Sequence, residues 1–183
     1  MEKKIQTIGT LRTHSFLVAL DEVLLEDGSL TRRIKIDHPE ASAILPFISD
    51  QEIIMVRQFR YALGRETLEI PAGKVDPGER PEECIRRELL EETGYEAEEI
   101  RFVCTYAPAI GYSNEMIHLY TGHGLRRIGE RLDKREISSV ESLSLERVRG
   151  MIGKGLIVDG KTLLSLSIAG LAAQSGKLVN RRG

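Results

Sequence analysis

The residues from Pro81 to Gly94 constrain the chain most, because nearly every position in them argues for the same helix and for the same face of it. Pro81 suits the first helical position, where its missing N–H would have no partner anyway, and Glu82 and Glu83 suit the positive end of the helix dipole. Gly94 supplies the stop. The pattern predicts one helix over 81–93. At about 100° per residue, Glu88 and Glu92 lie within about 40° of each other around the axis, and Glu91 about 60° from Glu88 on the far side. Three carboxylates therefore share one stripe, beside the apolar side formed by Ile85 and Leu89. If that side packs on a sheet, the acids border a cleft where water screens their repulsion poorly, and a cation belongs among them. The plainer alternative is a solvated acidic face balanced by Arg86, Arg87 and Lys74.

The stretch before the helix, Gly73-Lys74-Val75-Asp76-Pro77-Gly78-Glu79, favours the cation. Gly73 and Gly78 let the backbone turn back tightly, and Glu79 adds a fourth carboxylate. Oxygen donors without thiolate or imidazole select hard ions such as Mg²⁺ or Mn²⁺. Cys84 and Cys104 have neither CxxC spacing nor neighbouring histidines, so they read as small packing residues.

Around this centre the pattern is mostly strand. Residues 14–37 alternate apolar and polar about Asp27-Gly28, which signals a hairpin. Two short apolar runs, 43–48 and 53–56, split by Ser49-Asp50-Gln51, read as buried strands of one sheet. An extended piece ends at 68–71, before a loop opened by Gly73. Further strands are expected at 100–106, 116–121 and 137–143, with a charged loop over 126–136. Ser144 can cap a helix that lines up Leu145, Val148 and Ile152, and a last helix spans 161–174. The expected division is an N-terminal β-hairpin region over 1–40 and a main domain over 41–183.

Composition bears on the partner. With 26 basic and 28 acidic residues among 183, the net charge is −2, so no global field invites nucleic acid or an anionic membrane. Tryptophan is absent and aromatics are 5%, which removes the usual stacking platforms for single strands. No run approaches the ~20 apolar residues of a membrane span, and the start at Met1 shows no secretory signal. A cytoplasmic protein is expected.

Gly73, Glu79, Arg87, Glu88, Leu89, Glu91, Glu92, Gly94 and Tyr95 together resemble the box of the Nudix hydrolases, with every fixed position filled and Tyr95 where an aliphatic residue is more usual. The resemblance implies an α/β fold of the α+β type, a mixed β-sheet sandwiched between helices, here with an N-terminal antiparallel hairpin. It implies an enzyme that cleaves a nucleoside diphosphate linked to another moiety. Glu88, Glu91 and Glu92, with the backbone carbonyl of Ala72, would hold the divalent ions. Arg87 would orient those carboxylates, and Glu79 would position the loop.

Flanking stretches narrow the resemblance to ADP-ribose pyrophosphatases: 56–61 (Val-Arg-Gln-Phe-Arg-Tyr), 69–73 (Glu-Ile-Pro-Ala-Gly) and 108–115 (Pro-Ala-Ile-Gly-Tyr-Ser-Asn-Glu). By that likeness Arg60 would contact the diphosphate or terminal ribose, Glu69 would sit beside the ligand, and Glu115 would bond ribose hydroxyls. Glu136 matches the position of the general base, with Asp133 or Glu91 as alternatives, so the catalytic set is Glu136, Glu91 and Glu92. Arg57 falls outside the site. His38 and Arg33 are candidates for contacts with adenine or across a homodimer, which the resemblance also implies. The expected reaction is metal-dependent hydrolysis of ADP-ribose to AMP and ribose 5-phosphate. The alternatives are another nucleotide sugar such as GDP-mannose, or a module that senses ADP-ribose without cleaving it.

Overall fold

A computed structural model of the chain describes residues 1–129 and 136–175. Ten strands and three helices follow in the order β1 (Lys3–Arg12), β2 (Leu17–Leu24), β3 (Leu30–Asp37), β4 (Ala41–Ser49), β5 (Glu52–Arg60), β6 (Arg65–Glu69), β7 (Ala72–Lys74), α1 (Pro81–Thr93), β8 (Tyr95–Tyr106), β9 (Ile117–Arg127), β10 (Ile137–Ser144), α2 (Leu145–Gly153) and α3 (Gly160–Ser175). Strands β1, β2 and β3 form an antiparallel sheet of their own, and the other seven form a mixed sheet in which β4 runs parallel to β9.

β4 explains the layering. Its residues Ala41 to Pro46 are all buried, and the stretch from Ala43 reads in sequence as an apolar run because both faces are covered. Ala41, Ala43 and Leu45 pack with Ile53, Met55, Leu68, Ile70 and Leu119 under α2 and α3. Ile44, of opposite parity, packs with Ala97 and Tyr120 against Ile85 and Leu89 of α1. The mixed sheet is thus sandwiched between helices, as the family resemblance implied. β4 and β5 pair only beside their connecting turn, at Phe47 with Ile53 and Ser49 with Glu52, and then diverge. The divergence leaves edges that β7 takes on β4 and β6 takes on β5, and it opens the sheet where the candidate site lies.

Helix α1 has the expected bounds. The Arg80 N–H donates to the Glu83 carboxylate at 3.0 Å, and Gly94 adopts φ 76°, its N–H donating to the Leu90 carbonyl. Ser144 caps α2 by accepting the Arg147 N–H at 3.2 Å. Four local readings need correction. β1 was not foreseen, since it is exposed along its whole length and has no apolar alternation. β7 lies where a loop was expected. β8 starts at Tyr95 rather than residue 100, and β9 runs to Arg127 rather than 121. Cross-strand charge pairs such as Glu96 with Arg126 at 3.1 Å let those polar ends remain paired strand.

Leu89 is fully buried at the contact between α1 and the sheet. Leu89→Ala should cost about 2–5 kcal/mol in urea unfolding, as expected for a large side chain lost from a closed core.

Candidate active site

Packing of Ile85 and Leu89 on the sheet places the acidic stripe of α1 against β7. Gly73 passes so close to Glu88 that an added Cβ would stand 1.9 Å from Glu88 Oε1, and only glycine leaves room for the carboxylate. Arg87 gathers the surrounding acids. It donates to Glu79 through Nε at 2.9 Å and Nη2 at 3.0 Å, and through Nη1 to Glu88 at 2.7 Å and Glu91 at 3.2 Å. Those bonds, with the Asp76 N–H, hold the Glu79 carboxyl down at about 2. The Arg87 guanidinium is correspondingly pushed above its ordinary range.

Glu92 is the buried member of the stripe, 8% exposed, and its Oε2 accepts the Ala72 N–H at 3.1 Å. Burial, and then the charge of Glu88, push its carboxyl up to about 8. Burial raises Glu88 as well, against the pull of Arg87. Two acids are therefore held where their ionised forms are under-compensated, as expected of a site that receives a cation. Glu91 is half exposed and bonds Arg87. Among the described residues no three His, Cys, Asp or Glu side chains already converge tightly enough to hold a metal ion. Glu88 and Glu91 are both turned toward Arg87.

Glu88 and Glu92 form one wall of a cleft of about 680 Å³. Ala72, Arg60, Glu115 and Glu136 line it too, so most of the expected site residues converge on one space. Glu136 accepts a hydrogen bond from Gln58 Nε2 at 3.4 Å. His38 lines the end beside Glu115, its Nδ1 lying 3.6 Å from Glu115 Oε1. The loop carrying Glu115 is docked on β3 by the Ile36 N–H to the Tyr112 carbonyl at 2.7 Å and the His38 N–H to Asn114 Oδ1 at 2.8 Å.

Two expected site residues stand elsewhere. Glu69 lies behind the cleft wall, 3% exposed, with its carboxylate taken by Arg60, Thr67 and Lys161. Although burial opposes ionisation, those partners hold it down at about 2. Glu91 lies outside the cleft lining. Arg57 pairs with Glu141 on β10, and Arg33 pairs with Glu2 in the N-terminal sheet. Asp133 lies outside the described residues. The sequence reading missed Lys161 and Asp159, both in the cleft wall. A signal existed, since a lysine in the first turn of a helix opposes the dipole and calls for another reason to be there.

The NUDIX domain model matches residues 37–163. The chain is 34% identical over 167 residues to the methanol dehydrogenase activator of Bacillus methanolicus, spanning 90% of each chain. It is 34% identical over 149 residues to the ADP-ribose pyrophosphatase of Bacillus subtilis (strain 168), spanning 80% of each. Its fold matches a crystal structure of an ADP compounds hydrolase with a TM-score of 0.80 at 20% identity, over 97% of each chain. With the filled box on α1 and β7 and a family match across most of its length, this chain belongs to the Nudix family and is a Nudix hydrolase.

Proposed function

We propose that the enzyme hydrolyses the diphosphate of ADP-ribose, adding water across the P–O–P link to give AMP and ribose 5-phosphate, with Mg²⁺ or Mn²⁺ as cofactor. One observation carries the reading: a single cleft sets Glu88 and Glu92, both driven toward protonation by burial, beside the cations Arg60 and Lys161. A ligand that brings divalent cations to the acids and phosphate oxygens to the bases satisfies both sides. The relative named ADP-ribose pyrophosphatase supports the choice of nucleotide.

The donor set fits a hard divalent cation, because it offers carboxylate oxygens of Glu88, Glu91 and Glu92 beside Ala72 and no sulfur or imidazole ligand. Such a cation supplies neutralisation of phosphoryl oxygens and acidification of the attacking water. The chain does the rest. Arg87 keeps Glu79, Glu88 and Glu91 within reach of one another. Arg60, steered by Glu69, binds phosphate, and Glu115 with His38 receives the ribose end. Glu136, on the cleft wall, takes the proton of the attacking water at its carboxylate.

We assign a second role to the N-terminal sheet. Leu11, Val18 and Ile36 stand in one cross-strand row, as do Leu20 with Ile34 and Leu24 with Leu30, so one face of the sheet carries apolar rows, interrupted by the polar row of Gln6, Glu22 and Arg32. Leu11, Leu30 and Ile34 are each more than half exposed on it. A second copy of the chain covers this face in the homodimer we propose. No described helix is long and apolar enough to cross a membrane, and Cys84 and Cys104 are both free thiols, which suits the reducing cytoplasm where we place the enzyme.

Nucleoside monophosphate release, followed chromatographically across a panel of nucleoside diphosphate derivatives with Mg²⁺, should be fastest on ADP-ribose, as AMP. Faster turnover of GDP-mannose would move the assignment to nucleotide sugars, and tight binding without product would make the protein a sensor. Glu136→Gln should lower kcat by about 10²–10⁴-fold with little change in KM; an undiminished kcat removes Glu136 as the base.

The raised carboxyl of Glu92 also sets a pH dependence. With its folded value near 8 against an ordinary 4.5, the metal-free folded chain keeps a proton that the unfolded chain releases. Stability from this group is full below about 4.5 and is lost as pH rises through about 8. In EDTA, Glu92→Gln should gain in Tm over the wild type across that window. A pH-independent difference would show that Glu92 titrates normally.

For the dimer, sedimentation should give twice the mass of one chain, and Leu11→Lys with Ile34→Lys should shift it to monomer; a monomeric wild type excludes the interface.

A further inference from the structure

One wall of the cleft is built by three residues that neither the acidic stripe nor Glu136 requires, Asp159, Gly160 and Lys161 at the start of α3, with Thr162 buried beside them. Asp159 Oδ2 accepts the Thr162 N–H at 3.0 Å and the Thr162 hydroxyl at 2.5 Å, capping the helix. Thr162 Oγ1 in turn accepts the Ile70 N–H at 3.0 Å, which fastens the helix to the chain just past β6. Lys161 Nζ bridges Asp159 Oδ1 at 3.0 Å and Glu69 Oε2.

Glu69 is fully subscribed. Its Oε1 accepts Arg60 Nε at 2.7 Å and the Thr67 hydroxyl at 2.5 Å, while its Oε2 accepts Arg60 Nη2 at 2.5 Å and Lys161 Nζ. A carboxylate has about four acceptor sites, so none remains for a ligand hydroxyl. Its two cations are less fully used. An ammonium has three donors and a guanidinium five; among the described residues Lys161 spends two, and Arg60 Nη1 has no partner. Both residues line the cleft. Lys161 is 7% exposed and sits at the unfavourable end of a helix dipole, so its charge is costly where it stands. Of its two counter-charges, Asp159 has given one oxygen to the helix cap, and Glu69 is shared with Arg60.

Given the diphosphate substrate proposed above, we infer that Arg60 and Lys161, fixed on the one carboxylate of Glu69, form a two-pronged phosphate cradle in which Lys161 donates directly to a non-bridging oxygen of the diphosphate. The cradle grips the diphosphate across from the acidic stripe, near enough that both cations partly offset the upward push on Glu92. Glu69 is then a positioning residue. It never touches the ligand, and it sets the spacing of the two donors that do. Lysine suits the place because a compact ammonium can hold two carboxylates and still turn a third donor outward.

Titration calorimetry with inorganic pyrophosphate in EDTA separates the cradle from metal binding and from turnover. The wild type should bind, Lys161→Met should bind about tenfold or more weakly, the loss expected for one charge-assisted bond, and Lys161→Arg should retain most of the affinity. No binding by the wild type, or equal Kd in wild type and a folded Lys161→Met, overturns the cradle. If Lys161→Met does not fold, the ¹⁵Nζ resonance of Lys161 in the wild type decides: it should shift on adding pyrophosphate, and an unmoved resonance overturns the contact. Failure to release AMP from ADP-ribose would sink the substrate assignment and leave the pyrophosphate result standing.

Discussion

The packing of α1 on the sheet is the interaction from which the site follows. Ile85 and Leu89 are fully buried against Ile44, Ala97 and Tyr120, and a helix fixed along that seam has no freedom in where it points its acids. Glu88 and Glu92 are carried into poorly solvated positions that they would not take on an isolated helix. The apolar seam offsets that electrostatic cost. The strain is local and useful, since two carboxyls whose ionised forms are disfavoured by burial gain most from a cation placed beside them.

Two salt-bridge centres frame the cleft and are inverse images of each other. On one side a single cation, Arg87, holds the three acids Glu79, Glu88 and Glu91. On the other a single anion, Glu69, holds the two bases Arg60 and Lys161. Each arrangement carries a surplus of the peripheral sign, of which Glu88 on one side and Arg60 and Lys161 on the other line the cleft. Neither needs a strongly charged protein surface, which is why a chain of net charge −2 can place distinct acidic and basic groups in one cleft.

What could be read in the sequence was what is decided locally. Pro81, Glu83 and Gly94 fix the ends of α1 within a few residues of chain, and helical periodicity alone aligns Glu88, Glu91 and Glu92. The double burial of β4 was visible as an apolar run. β1 was invisible because it is held by pairing to β2 across two register shifts, without an apolar pattern of its own. The partners of Glu69 were hidden for a related reason. Nothing in the short run before Pro71 says that its carboxylate meets Lys161, 92 residues further on. That an acid stands beside the cleft was legible, and the direction it faces was not.

That separation in the chain bears on how the protein folds. The acidic stripe is in place once α1 packs on β4, β8 and β9 beside β7, but Lys161 and Thr162 join Glu69 and Ile70 only when α3 docks. Contacts closing so long a loop come late, after their entropy cost can be repaid by neighbours already formed. Before that moment Glu69 has only Arg60 and Thr67 for its charge. On a ribosome the two halves of the cleft would therefore mature at different times, the acidic half first, and the emergence of α3 would mark when a growing chain becomes competent to hold an anion.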